Sequence, residues 1–409
     1  MSTDAAPSFA NPEISGCPWS TYRQLQDERP VYRDPVTGFY EVTRWEDIRK
    51  VASDPDTFGS KMDTRIQSGV QGEIRQLYET EGFPMVPTMI NNDPPDHRTI
   101  RSLVDKAFTA IRIRKLEPNI EALANDLIDG FASRGSAEFV NEFAIPLPMV
   151  IIAEQLGVPR SRQDEFKSWS DALLGVNDPL TPQDQLIPLT RKIIDMQQFL
   201  ATQVERMWRE PDDTIIGTVS QATVDGRRLE LGELVNIFQN VLVAGNETTT
   251  QAFGNSMQLL VSQPGLQDRL RANPNETVTF VEESLRLFAP LQGFFRKTRK
   301  DVELGGTLIP AESMVILRFG AGGRDPRRFE CPEQVQLDRK NAREHLTFGY
   351  GIHFCIGNQL ARAELRIGLV CLLERLRNIR LAPGPDAVFY KPSFLTYGPR
   401  HMQIQFDPG

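Results

Sequence analysis

One cysteine in this chain is delivered to the start of a long helix by a run of glycines. In Phe348-Gly349-Tyr350-Gly351-Ile352-His353-Phe354-Cys355-Ile356-Gly357 the glycines recur around Cys355, and an amphipathic stretch follows from Gly357 to Arg377. Glycine admits positive φ and carries no Cβ, so such a turn can lie close against a flat partner. The first N–H groups of a helix lack intrahelical acceptors, and the dipole there favours thiolate over thiol. The pattern aims a sulfur at something outside the helix N-terminus.

Taken alone, Cys355 is open to several chemistries. A buried, inert cysteine is as common as a functional one. Zinc is disfavoured, because His353 and Cys355 offer two ligands and no CxxC or second pair lies nearby. A nucleophile needs an adjacent base, and none of the four histidines is placed there by sequence. A thiolate presented in this way also suits a heme iron whose task is splitting O–O bonds. Read whole, FGxGxHxCxG resembles the cysteine loop of the cytochrome P450 family, and that selects the heme-thiolate reading.

Length alone leaves one large domain or several smaller ones open, since the chain has 409 residues. Its net charge is −8 with scattered basic residues, which argues against a nucleic-acid binder. Cys17, Cys331, Cys355 and Cys371 make no disulfide framework and fit a reducing cytosol. The N-terminus has neither a basic nor an apolar leader region, and no stretch reaches the ~18 apolar residues of a membrane span. A soluble, cytoplasmic protein is expected, like bacterial members of the family.

Apolar residues recur at helical spacing over Leu116–Phe131, Ile145–Leu156, Leu186–Trp208, Leu231–Val261, Thr277–Phe288 and Gly357–Leu376. Strand-like pieces lie near Val31–Arg33, Gly38–Val42, Phe294–Thr298, Met314–Leu317 and Met402–Phe406. Neither repeats nor a domain linker interrupt them. The expectation is a mainly α fold with small β-sheets. It comprises a tail over residues 1–16 and a single heme-thiolate monooxygenase domain over 17–409. The resemblance, from about Cys17 to Phe406, implies the family's triangular prism.

Ala244-Gly245-Asn246-Glu247-Thr248-Thr249 sits mid-helix against local propensity, because glycine and consecutive threonines are poor interior residues. One reading is a packing glycine with threonines bonded back to the previous turn. The other has Thr248 facing the ligand and opening the ladder near Ala244. The resemblance favours the second, with Glu247 relaying protons, the Thr248 hydroxyl acting on bound oxygen and Ala244 lining the heme.

Glu283 and Arg286 are three apart on one helix face among apolar neighbours. The family pattern adds an arginine, here Arg339, and a structural role in bracing the heme core. In Asp93-Pro94-Pro95-Asp96-His97, Asp93 resembles an N-cap with proline at the first helical position. His97 and Arg101 are then one turn apart. The resemblance implies that both bond heme propionates, joined by Arg296 and His353, while Phe348, Gly349 and Gly357 contact the cofactor. Two positions depart from the family: Gly323 replaces the asparagine of its Asn-Arg-Asp-Pro turn, and Glu312 stands where a turn glycine is frequent.

The implied cofactor is heme b, and the implied reaction inserts one atom of O2 into a small lipophilic substrate by hydroxylation, epoxidation or dealkylation. Met85, Val86, Met89, Ile90, Val243, Leu291, Phe294, Phe295 and Leu395 are the expected pocket lining, apolar and methionine-rich. Electrons are expected from a [2Fe–2S] ferredoxin with an NAD(P)H-dependent reductase. Arg112, Arg114, Lys115, Arg343 and Arg362 are candidate docking residues. A peroxide-using peroxygenase and a non-catalytic heme sensor or carrier are the alternatives, and the intact Glu247-Thr248 pair argues against both.

Overall fold

Helix Gln183–Arg209 shows how the chain's apolar pattern becomes structure: Leu186, Ile193, Ile194, Leu200, Val204 and Met207 fall on its buried face. In the computed structural model, residues 6–61, 71–177, 181–224 and 226–408 are described. They divide into two compact units. The first comprises Met1–Ser60, Leu116–Leu147 and Thr248–Gly409, and the second Lys61–Lys115 and Pro148–Glu247.

The first unit holds the sheets. Five strands follow the order Val31–Arg33, Tyr40–Val42, Met314–Leu317, Phe294–Thr298, Phe58–Gly59. Only Tyr40–Val42 against Met314–Leu317 is parallel; the other pairs are antiparallel. Val42, Ile48, Val51, Val315, Leu317, Phe319 and Leu346 close over this sheet as one core. A second sheet joins Leu376–Leu381, Pro399–Pro408 and Val388–Tyr390, with Ser136–Glu138 on Pro399–Pro408. Within residues 6–16, Phe9 is buried, and Ser8 Oγ donates to the Asp34 carboxylate.

Among its described residues the second unit is helical, with the small strand pair Thr223–Val224/Arg227–Arg228. Its Gln163–Asn177 helix packs on Gln183–Arg209, with Trp169 and Phe199 ring centroids 5.3 Å apart. Helix Leu231–Ser262 begins here and ends in the first unit.

Several expected boundaries move. Leu116–Phe131 becomes Ala110–Asp129, and Met402–Phe406 grows to Pro399–Pro408. The expected helix through Leu376 stops at Arg375, because Leu376–Leu381 pairs with Pro399–Pro408 instead. The expected N-cap at Asp93 is also corrected. The helix is Asp96–Asp105, with Pro95 at its N-cap. Asp93 Oδ2 instead accepts the Lys61 N–H at 3.0 Å.

Candidate functional site

Cys355 leaves the last core-packed segment through a tightly bonded turn. Gly349 N–H donates to Leu346 O at 2.8 Å, and Cys355 N–H donates back to Phe348 O at 2.8 Å. Gly349 and Gly351 take φ of 70° and 71°, the left-handed region that side chains disfavour. At Gly351 a Cβ would stand 2.3 Å from Ala52 O, so the close approach excludes any larger residue. Gly357 is the N-cap of Asn358–Arg375, and Asn358 Nδ2 donates to Cys355 O at 2.7 Å. The backbone is fixed, yet Cys355 itself remains partly exposed.

The other cysteines differ. Cys17 and Cys331 are exposed, and burial pushes the Cys371 thiol up to about 11. Cys355 therefore combines a fixed backbone with intermediate burial, unlike the exposed Cys17 and Cys331 and the buried Cys371. In the same unit His353 Nε2 lies 2.9 Å from Ser60 Oγ. Arg296 is buried on Phe294–Thr298 opposite Val315, with Nη1 donating to Phe295 O at 2.6 Å. A soft sulfur donor with imidazole and guanidinium groups fits a thiolate-ligated iron carrying carboxylate arms.

In the second unit His97 is buried on Asp96–Asp105. Arg101, one turn on, shares its Nε with Asp105 Oδ1 at 2.9 Å, a partner the sequence reading did not foresee.

Along Leu231–Ser262 the stretch Val241–Thr250 is mostly buried, but Ala244 is exposed and Val243 and Thr248 are half-buried. Glu247 is buried. The expected opening near Ala244 does not interrupt the helix, which is continuous from Leu231 to Ser262. Gly245 does act as a packing glycine: a Cβ there would lie 3.1 Å from Ile152 Cγ1.

Glu283, Arg286 and Arg339 meet in a buried cluster. Arg286 forks onto Glu283, and Arg339 Nε lies 3.0 Å from Glu283 Oε1. The remaining guanidinium N–H groups of Arg286 go to the carbonyls of Gly323, Pro332 and Gln334.

Beside it is a network that sequence reasoning missed. Glu282 accepts from His345 Nε2 at 3.0 Å and from Arg362 Nε at 2.7 Å. Burial pushes the Glu282 carboxyl up, but the His345 and Arg362 bonds together outweigh it and hold it at about 2. Arg362 is thus committed internally, and its side chain is only 19% exposed. Arg112 and Lys115 both pair with Asp213. Arg114, Lys115 and Arg343 are the exposed members of the expected docking set, and Arg343 Nε lies 3.5 Å from Glu282 Oε1. A lone histidine in the run Glu344-His345-Leu346 was the one available signal.

Of the expected lining residues, Met85, Val86 and Ile90 are half-buried and Met89 is buried. Their segment is clamped by amides: Gln197 Oε1 accepts Phe83 N–H at 2.9 Å, and Asn240 Nδ2 donates to Thr88 Oγ1 at 2.8 Å. In the first unit Leu291 bridges to Thr396 next to Leu395. Phe294 and Phe295 are consecutive on a strand and so face opposite ways. Phe295 meets the Phe39 ring at 5.9 Å, and Phe294 packs on the sheet core. Their ring centroids are still 6.5 Å apart, and both are half-buried.

The family model for cytochrome P450 matches residues 65–387 of this chain. The chain belongs to the cytochrome P450 family. It is 36% identical over 390 residues to cytochrome P450 107B1 of Saccharopolyspora erythraea, covering 94% of each. It is 33% identical to the vitamin D(3) 25-hydroxylase of Pseudonocardia autotrophica, covering 96% of this chain and 94% of that one. The solved structure of cytochrome P450 CYP109Q5 from Chondromyces apiculatus matches with a TM-score of 0.87 at 32% identity, covering 98% of each. This P450 is a heme b protein and a monooxygenase with a mainly α fold and small sheets. Among the described residues no helix is long and apolar enough to cross a membrane.

Proposed function

We propose that this P450 inserts one atom of O2 into a small lipophilic substrate and reduces the other to water. Two electrons come from a [2Fe–2S] ferredoxin served by an NAD(P)H-dependent reductase, and two protons come from solvent. The observation that carries this reading is Cys355: a half-buried cysteine on a loop whose backbone is bonded on both sides. Bound heme supplies oxygen activation, which a thiolate ligand pushes toward O–O cleavage.

The chain's own residues do the rest. Cys355 ligates the iron, while His97, Arg101, Arg296 and His353 hold the propionates. Phe348, Gly349, Gly357 and Ala244 give the cofactor close backbone approach. Glu247 passes protons inward, and the Thr248 Oγ1 holds the donated proton where it is needed. Met85, Val86, Met89, Ile90, Val243, Leu291, Phe294, Phe295 and Leu395 shape an apolar pocket. A relative named for hydroxylating vitamin D(3) supports a lipophilic guest.

Cys355→Ala tests the ligand. The ferrous–CO absorption maximum should leave the thiolate position; an unchanged maximum would mean that another group holds the iron. Turnover with NADH and a ferredoxin–reductase pair tests the electron route. Neutralising Arg114 and Arg343 together should slow reduction more at low salt than at high salt. Insensitivity to ionic strength would remove these two from the docking face.

A further inference from the structure

A hydrogen-bonded chain leads from a buried carboxylate to the backbone of Cys355. Glu282 is 2% exposed and adjoins Glu283, whose own carboxylate is spent on Arg286 and Arg339. Consecutive helical residues point about 100° apart, so the two acids serve different partners. Arg362 forks onto Glu282, Nε to Oε1 at 2.7 Å and Nη2 to Oε2 at 3.1 Å. Its Nη1 donates to Asn358 Oδ1 at 2.8 Å, and Asn358 Nδ2 donates to the Cys355 carbonyl at 2.7 Å.

The same guanidinium covers the Phe348 ring at 4.3 Å, and the Phe348 carbonyl accepts the Cys355 N–H. Arg362 therefore grips the loop both before and after the sulfur-bearing residue. His345 closes the cluster. Its Nδ1 accepts the Thr347 N–H at 3.2 Å, which leaves the ring proton on Nε2 for Glu282.

We propose that Glu282, acting through Arg362 and Asn358, is a positioning residue that fixes the Cys355 backbone and tunes the reduction potential of the iron its sulfur binds. The inference rests on Cys355 being the iron ligand. A cation close to the ligand loop favours the reduced, more negative state, and the paired Glu282 carboxylate opposes that field. Arg343 Nε also lies 3.5 Å from Glu282 Oε1, but its side chain is 70% exposed and screened by solvent, so removing Glu282 or Arg362 still unbalances the buried pair. A merely structural brace would loosen the loop in the same way whichever partner was lost.

The test is spectroelectrochemical titration of the heme-loaded protein, after a ferrous–CO spectrum has established thiolate ligation. A non-thiolate spectrum in the wild type sinks the ligand assignment and this inference with it. With thiolate ligation in place, Glu282→Gln should raise the potential and Arg362→Gln should lower it. At a fixed poise the ferrous-to-ferric ratio should change by about tenfold each way, or about 59 mV for one electron. Arg362→Lys, which keeps the charge, should stay near the wild type. Shifts of the same sign in both neutral variants, or no shift, overturn the inference while leaving the ligand assignment intact. Should Arg362→Gln fail to hold heme, the near-isosteric Glu282→Gln decides alone: an unchanged or lowered potential overturns the proposal.

Discussion

Arg286 closes a fork onto Glu283, with Nε 2.6 Å from Oε1 and Nη2 3.0 Å from Oε2, and neither side chain is exposed. Burying two charges is unfavourable unless their remaining hydrogen-bonding groups are satisfied. Here they are: Glu283 Oε2 also accepts the Gln336 N–H, and Arg286 is capped by three backbone carbonyls. Glu283→Ala strands the buried guanidinium groups of Arg286 and Arg339, and should cost about 3–5 kcal/mol. Urea unfolding of the heme-loaded protein measures this. A loss under about 1 kcal/mol, the range of an exposed pair, would show that the cluster does not brace the fold.

Acid should destabilise the protein through the neighbouring carboxylate. Glu282 has its pKa lowered from an ordinary 4.5 to about 2. A depressed folded-state pKa gives stability that is complete above the unfolded value and is lost as pH falls through the folded one. The contribution, about 3 kcal/mol, therefore disappears between roughly pH 4.5 and 2. Burial pushes the His345 imidazole down, so charging it below its ordinary range adds a loss of the same sign. In Glu282→Gln the fall in unfolding free energy across that window should be shallower. An identical slope would assign the acid sensitivity to other groups.

Glu312 stands at φ 63°, a left-handed conformation that costs a side chain about 1–2 kcal/mol. Its ion pair with Lys297 is largely exposed and contributes little. Glu312→Gly should stabilise the protein by about 1 kcal/mol after the added freedom of the unfolded glycine is counted. Thermal unfolding should therefore shift upward; a downward shift would mean that the Lys297 pair outweighs the backbone strain.

These two departures from the family's pattern show where the sequence spoke plainly and where it did not. At Glu312 the family's pattern frequently has a turn glycine, and the backbone does adopt the conformation glycine prefers. At Gly323 the reason is steric and non-local: a Cβ would stand 2.2 Å from Arg286 O, on a helix distant in sequence. Helix Leu231–Ser262 was legible to within one residue because its apolar face is long and sustained. Gln163–Asn177 escaped because Phe166, Trp169 and Leu173 are interspersed with acids, lysine and serines. It is held by Gln183–Arg209 more than by its own pattern. The cysteine loop could be read from its glycines. The chain from Glu282 to Cys355 could not, because Glu282, His345 and Arg362 look like ordinary polar residues until the fold brings them together.

Thr248 is half-buried, next to the buried Glu247. Replacing its hydroxyl removes the group proposed to hold the proton delivered to bound oxygen. Thr248→Ala should continue to consume NADH while product per NADH falls several-fold and hydrogen peroxide rises. Peroxide and product are quantified side by side in the same reaction. Coupling at the wild-type level would remove Thr248 from the proton path.

The burial of Cys371 sorts the four sulfurs by reactivity. At neutral pH an alkylating reagent reaches Cys17 and Cys331 at the surface, while Cys371, 3% exposed with its thiol near 11, stays silent. Under the proposed ligation, Cys355 should react only when no metal claims it. A mass-spectrometric tally of labels then reports occupancy, three on an empty protein and two on a filled one, with no need for colour.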